Sequence, residues 1–421
     1  MFATVKQIFN RKNRDLQKKI LFTFAALFIF KLGTAIVVPG IDQASLGTKN
    51  MGFLELLDIM GGGALSNFSI FALGVSPYIT ASIIIQLLEM DIVPYLSELR
   101  KQGGTGRAKL NQITRITGIV LAFIQGYLFS FTYIGGGNVM DYMQFSLVLT
   151  AGTCFVLWLG DQITAKGIGN GISMIIMAGI ISSMPNMFKT AFTGFIGDSG
   201  NVTGILMFGG YILIYLAIII GIIFEQSAER RIAVQYSTKT VSSVYGGNQN
   251  YVPFKLNSAG VIPVIFASAL ISIPGVIASF LNNQAFTNFV SKWLTMTSVT
   301  GFILYIVLIF AFSYFYTFMQ IRPTDMAENL QKNGGYIPGI RPGEETVDYI
   351  TTVLKRLTVV GATALAIIAA LPIIFGMVTN LPSSVTLGGT GLLIVVGVSL
   401  ETYKQLESQL VSRTYKKGRR R

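Results

Sequence analysis

Ten charge-poor windows recur along this chain, each near the roughly 20 apolar residues that a helix needs to cross the hydrocarbon core of a bilayer. They run Leu21–Val38, Ser69–Leu88, Ile116–Ile134, Phe145–Gly160, Ile172–Phe188, Gly204–Phe224, Gly260–Leu281, Gly301–Ile321, Leu357–Val378 and Val385–Leu400. With 52% hydrophobic and only 12% charged residues in 421, the chain carries more apolar surface than a soluble globule of this size can hide from water. An all-α polytopic membrane protein with ten transmembrane helices is the expected fold class.

The basic residues test the direction of each crossing, because segments on the cytoplasmic side are enriched in Lys and Arg. With the N-terminus inside, the inner segments hold Lys6 to Lys19, then Arg100 to Arg115, then Lys166, then Arg230, Arg231, Lys239 and Lys255, then Arg322 to Arg356, and finally Lys404 to Arg421. Only Lys49, Lys189 and Lys292 fall outside. Both termini are therefore expected in the cytoplasm. Lys31 lies within the first window, where its long stem either snorkels toward the interface or finds a buried partner.

The first apolar run is as long as a span and ends in VVPGID without a small-x-small cleavage site, so it reads as a retained helix rather than a signal peptide. Residues 1–20 before it suit a cytoplasmic amphipathic segment, with Val5, Ile8 and Phe9 toward lipid. The expected divisions are 21–200 for spans one to five, 201–403 for spans six to ten, and a basic tail over 404–421. Cytoplasmic loops are expected at about 225–258 and 322–353.

One motif occurs twice. Gly74–Ile83 reads GVSPYITASI and Gly260–Ala269 reads GVIPVIFASA. These are the second span of each five-span half. With an odd number of crossings per half, the two run in opposite directions, so the halves form an inverted repeat. Ile79 and Ile265 occupy the same motif position. Val75, Ile79 and Ile83 follow helical spacing, as do Ile172, Ile176 and Ile180 on the fifth span. Taken alone, such stripes are also what a lipid-facing or helix-packing face looks like.

The stretch Met51–Gly74 is irregular. Met51–Met60 suits a short helix, but Glu55, Asp58 and the run Gly61, Gly62, Gly63 prevent it from crossing unaided. At membrane depth it would have to lie inside protein or beside water; otherwise it is an external loop.

Several chemistries are excluded by residue type. The chain has no histidine and a single cysteine, Cys154, which among its apolar neighbours reads as packing. His/Cys metal sites, intrachain disulfides and histidine-dependent triads cannot be assembled, and the phosphate-binding Gly-x-x-x-x-Gly-Lys-Ser/Thr loop is missing. No cofactor is expected.

Six strings in order carry a resemblance over essentially the whole chain: FKLGTAIVVPG (Phe30–Gly40), GVSPYITASIIIQLL (Gly74–Leu88), GIGNGISMIIMAGI (Gly167–Ile180), NSAGVIPVIFAS (Asn257–Ser268), AENLQKNGGYIPGIRPGEET (Ala327–Thr346) and LGGTGLLIVVGV (Leu387–Val398). They resemble the SecY family, the channel subunits of the bacterial protein-conducting translocon. The resemblance implies an hourglass pore between two inverted five-helix halves in the bacterial cytoplasmic membrane. It implies a pore ring of Val75, Ile79, Ile83, Ile172, Ile176, Ile265 and Ile394. It also implies a re-entrant plug over about 51–67, including Phe53, Leu54, Leu57, Ile59, Met60, Gly61, Gly62 and Gly63. A lateral gate would open between spans two and three on one side and seven and eight on the other, releasing transmembrane segments into lipid.

Arg230, Arg231, Lys239 and Arg341 fall where the family contacts a motor or ribosome, although Lys239 stands nearly alone where relatives often carry a basic cluster. The implied partners are SecE and SecG subunits, the SecA motor ATPase, the ribosome, signal-peptide-bearing precursors and anionic lipids; no DNA is implied. The competing reading is a secondary transporter or flippase with inverted repeats. Such carriers place polar groups at mid-membrane, and these windows hold few. An intramembrane enzyme lacks a catalytic set.

Overall fold

The apolar windows locate the helices, and most helices overrun them. The computed structural model describes residues 13–39, 55–90, 92–134, 138–197, 202–236, 250–281, 283–296, 298–379 and 383–418. In chain order the helices are α1 (Arg14–Thr34), α2 (Glu55–Gly61), α3 (Ser76–Leu88), α4 (Pro94–Lys101), α5 (Gly104–Ile134), α6 (Val139–Lys166), α7 (Gly171–Ile196) and α8 (Val202–Ser227). Strands β1 (Glu229–Tyr236) and β2 (Asn250–Lys255) follow, then α9 (Ile262–Leu281), α10 (Gln284–Trp293), α11 (Val299–Gln320), α12 (Pro323–Lys332), β3 (Gly335–Tyr336), α13 (Glu344–Thr379) and α14 (Ser383–Gly418).

Among the described residues six helices are long and apolar enough by themselves to cross a membrane: α5, α6, α7, α8, α11 and α13. Helices α3 and α9 are shorter apolar ones, and α1 and α14 coincide with the first and last windows. Charge-poor windows report only the part of a helix surrounded by lipid. Accordingly α5 begins twelve residues before its window and α14 continues through the basic tail as far as Gly418. The expected N-terminal amphipathic segment lies mostly outside the described residues, and from Arg14 the chain is already in α1.

The second window is shorter as a helix than its apolar length suggests, for a reason built into the repeated motif. Gly74 and Gly260 both take positive φ, at 51° and 63°, a conformation that suits glycine because it lacks Cβ. Each is followed two residues later by the first helical residue, with Pro77 or Pro263 in the first turn, where a missing N–H costs nothing. Ile79 and Ile265 thus become the fourth residue of α3 and α9. Their amides donate to the carbonyls of Val75 and Val261, at 3.1 and 3.3 Å. Residues 69–75, expected to be helical, form turns tied to the end of α1 by a bridge between Val37 and Ser69.

Two apolar clusters are the largest among the described residues. One joins α1, α6, α7 and α14, with Phe30 stacked on Phe71 at 6.0 Å. The other joins α8, α9, α11, α13 and α14 around Tyr211, Tyr305, Ile309 and Leu365. Large apolar side chains such as Leu21, Phe24, Leu213 and Phe224 stay exposed on the outside, as a lipid-facing surface requires.

The two long connections expected as loops meet as one folded unit. Strands β2, β1 and β3 form an antiparallel sheet in that order, pairing Arg231 with Pro253 and Gln235 with Tyr336. Alternation along β1 turns Ile232 and Val234 inward. They pack on Phe254, Ile337 and the start of α13 at Ile350, Val353 and Leu354. Among the described residues this small sheet adds to an otherwise helical architecture.

Candidate functional site

Six of the seven expected ring residues meet in one place. Val75, Ile176 and Ile394 are buried in the first cluster, and Ile79, Ile172 and Ile265 pack against it. Ile79 and Ile265 also touch the second cluster, so the motif isoleucines stand where the halves meet. Ile83 is placed differently. It is buried in the cluster of the second half, on the seam between α3 and α9.

Three cavities surround this waist. A 710 Å³ cavity is lined by polar groups, including Asn170, Ser173, Asn257 and Glu401, with Ile176, Ile265 and Ile394 also on its wall. The void at the waist, between Phe30, Met60, Val75, Ile79 and Ile176, holds 10 Å³, no more than about one water. A 340 Å³ cavity is lined by Lys31, Asp58, Ser183 and Thr190. Ile176 borders both the large cavity and the void. Residues of α2 border the void through Met60 and Gly61, and the 340 Å³ cavity through Asp58 and Ile59. The arrangement is two chambers with polar groups on their walls, with an apolar constriction and a short helix between them.

Helix α2 sits inside protein, packed on α7 and α14. Its charged Asp58 is satisfied by main chain. Oδ1 accepts from the amides of Leu65 and Ser66, both at 2.9 Å, and the Ser66 hydroxyl donates to Oδ2. Ile59 and Met60 pack against both clusters. Gly61 and Gly62 are buried and Gly63 has φ 82°. Leu57 is part of α2; Phe53 and Leu54 lie outside the described residues.

The wall receiving α2 includes residues that sequence reasoning passed over. A Cβ on Gly179 would lie 2.2 Å from the carbonyl oxygen of Met60, so only glycine lets α2 come this close. Four residues on, the Ser183 hydroxyl donates to the carbonyl of Ile59 at 3.3 Å while also bonding within its own helix. Gly179 and Ser183 continue the Ile172–Ile176 stripe at helical spacing. That continuation was the available signal.

Between the halves, α9 meets α3 and α5 over a shorter contact than either pair makes within its own half. A polar tie crosses at one end. Arg100 at the end of α4 donates to the carbonyl of Met319 at 2.9 Å, one of the last-turn oxygens that α11 cannot satisfy itself. Its guanidinium lies 3.9 Å from the Glu89 carboxylate, too long for a charge-assisted hydrogen bond. Burial holds the Glu89 carboxyl above its ordinary range, against the opposing pull of Arg100, Arg322 and Arg107.

Arg230 and Arg231 lie exposed on β1, and Arg231 pairs with Glu229 at 2.8 Å and covers the Tyr251 ring at 4.7 Å. Arg341 is exposed in a turn whose backbone is pinned. The Thr346 hydroxyl donates to its carbonyl at 2.8 Å, and its own amide donates to Glu345. The structure brings Arg230, Arg231 and Arg341 onto the one sheet-bearing unit, and Lys239 lies outside the described residues.

The sequence profile of the SecY family matches residues 69–403. The chain belongs to the SecY family. It is 48% identical to the protein translocase subunit SecY of Bacillus subtilis strain 168, covering 99% of each chain. It is 46% identical to that of Staphylococcus carnosus, again over 99% of both. The fold resembles a solved protein-conducting channel at TM-score 0.67, with 18% identity over 94% of this chain and 93% of that one. It also resembles a SecY structure whose plug domain is described as stabilising the closed state and maintaining a membrane seal, at TM-score 0.66, 19% identity and the same coverage. A third likeness is to canine Sec61 in a ribosome–channel complex, at TM-score 0.64, 17% identity, and 94% and 93% coverage. As a SecY-family member this multi-pass membrane protein is a protein-conducting translocation channel, and the carrier alternative is not favoured.

Proposed function

We propose that the waist is the seal of this channel, α2 its stopper, and the α3/α5–α9/α11 seam its lateral gate. The observation that carries the reading is the 10 Å³ void, which shares Ile176 with the larger cavity and is lined by Met60 and Gly61, whose chain neighbours Ile59 and Gly62 line the other. Branched apolar side chains close around varied substrate residues without binding them. A neck this narrow and apolar stays dry and resists ions. Val75, Ile79, Ile172, Ile176, Ile265 and Ile394 form the ring, and Ile83 guards the seam beside it.

The 710 Å³ chamber, on the side of the sheet and the basic segments, faces the cytoplasm of a bacterial inner membrane, with both termini inside, in keeping with the distribution of Lys and Arg. An unfolded precursor enters there, displaces α2 and leaves through the other chamber, while a sufficiently apolar segment partitions sideways into lipid. Energy comes from a SecA ATPase, a translating ribosome or the proton-motive force, with Arg230, Arg231, Lys239 and Arg341 at the docking face. SecE and SecG subunits complete the complex, and anionic lipids surround its basic side. The divisions at 21–200 and 201–403 are the two rocking bodies.

Reconstitution tests the scheme. Vesicles holding the complex with SecA should take up a secretory precursor only when ATP is supplied. Counterflow of a small solute without precursor uptake would sink it.

A further inference from the structure

The Lys31 ammonium is a charged group within a span, and the channel's conducting path does not by itself explain it. Its Nζ donates to the carbonyl of Gly62 at 3.1 Å and lines the 340 Å³ cavity together with Asp58, Gly63 and Asn67. We infer that Lys31 is the positioning residue that holds the stopper shut, an inference that rests on reading α2 as the stopper.

Three observations converge. First, Lys31 reaches the oxygen of the residue immediately after α2, where unpaired carbonyls and the negative helix end gather, so a cation is favoured there. Second, the opposite wall grips the same short segment, with the Ser183 hydroxyl on the Ile59 carbonyl and the bare backbone of Gly179 against Met60. The segment is thus held from α1 and from α7. Third, both grips fall on main-chain oxygen. They fix where α2 sits through its backbone, beside the packing of its Ile59 and Met60 side chains.

A hydrogen bond from a charged donor is strong enough to hold and weak enough to break when a substrate arrives. Its loss changes an equilibrium by roughly tenfold or more. Replacing Lys31 by Met keeps the length of the side chain and removes the donor. Replacing it by Arg keeps both.

The experiment uses the reconstituted full-length channel without substrate, in a Cys154→Ser background carrying Ile59→Cys. Two quantities are read: resting ion current in planar bilayers, and labelling of Cys at position 59 by a membrane-impermeant maleimide added from the side of the 340 Å³ cavity. Lys31→Met should raise both, the current by roughly tenfold, and Lys31→Arg should leave both near wild type. Gly179→Val, which forces side-chain atoms against the Met60 carbonyl, reports on the stopper independently. If Gly179→Val raises both signals and Lys31→Met raises neither, the lysine inference falls and the stopper reading stands. If neither variant raises either signal, both fall. A rise in current without added labelling would place Lys31 on the ion path rather than on the stopper, and would also overturn the inference. Should Lys31→Met fail to accumulate, Lys31→Leu, which also lacks a donor, is read by the same pair of assays.

Discussion

An isoleucine in the fourth helical position after a left-handed glycine is placed by backbone geometry before any packing is counted. This happens twice, at Ile79 and Ile265, because Gly74 and Gly260 share their positive φ and each precedes a first-turn proline. A residue so fixed has one face to present. Exchanging both isoleucines for serine should therefore raise the resting conductance of reconstituted channels, and unchanged current would remove them from the seal. Asp58 gives a second expectation at this scale. Its carboxylate accepts two amides and a hydroxyl, so Asp58→Ala leaves the amides of Leu65 and Ser66 without that acceptor. The turn should loosen by about 1–3 kcal/mol, seen as faster hydrogen exchange there. The correspondence of the two isoleucines was legible in the repeated motif; a role in a seal was not, because a stripe at spacing of four is equally a packing or lipid-facing face. The bond made by Lys31 was not legible either, because its partner is a main-chain oxygen and no residue type announces one.

Elements differ in how plainly they are written. Helices surrounded by lipid show themselves as apolar runs, yet α4 was hidden, being short, basic at its end and outside the windows. Its Arg100 spans the seam to α11. Arg100→Ala should make the gate easier to part, so that precursors with shortened apolar signal segments are transported better than by the wild type. Equal or poorer transport would deny the tie a role. Glu89 should behave in the opposite sense. With its folded pKa raised, the neutral acid is favoured, so its stabilising contribution is complete below the ordinary glutamate value and is lost as pH rises through the shifted one. Glu89→Gln should therefore raise the melting temperature in detergent at neutral pH, with the difference shrinking on acidification. The sheet was illegible for another reason. Strand β1 turns only Ile232 and Val234 inward among charged neighbours, and its partner β3 comes a hundred residues later. The unit nevertheless has a genuine water-driven core. Ile350→Ala should cost it about 2–5 kcal/mol, measurable as early loss of protection in β1 while the membrane helices stay protected.

The whole molecule is two oppositely directed bundles closed on an apolar constriction, a plan visible in the repeated motif and the alternation of basic segments. The seating of α2 was not visible, because it depends on Gly179 and Ser183 of a distant helix coming against carbonyl oxygens. At this scale the exposed Arg341 matters through its surroundings. Arg341→Glu should lower SecA- or ribosome-dependent transport several-fold while leaving the melting temperature unchanged, since its backbone is held by Thr346 and Glu345. The sheet has one further property. Strand β2 leads directly into α9, and the chain leaving α11 returns through α12 to β3, which pairs with β1. Both helices on one side of the seam are thus strung from a single handle. Whatever grasps that handle cannot swing one of them without drawing the other along.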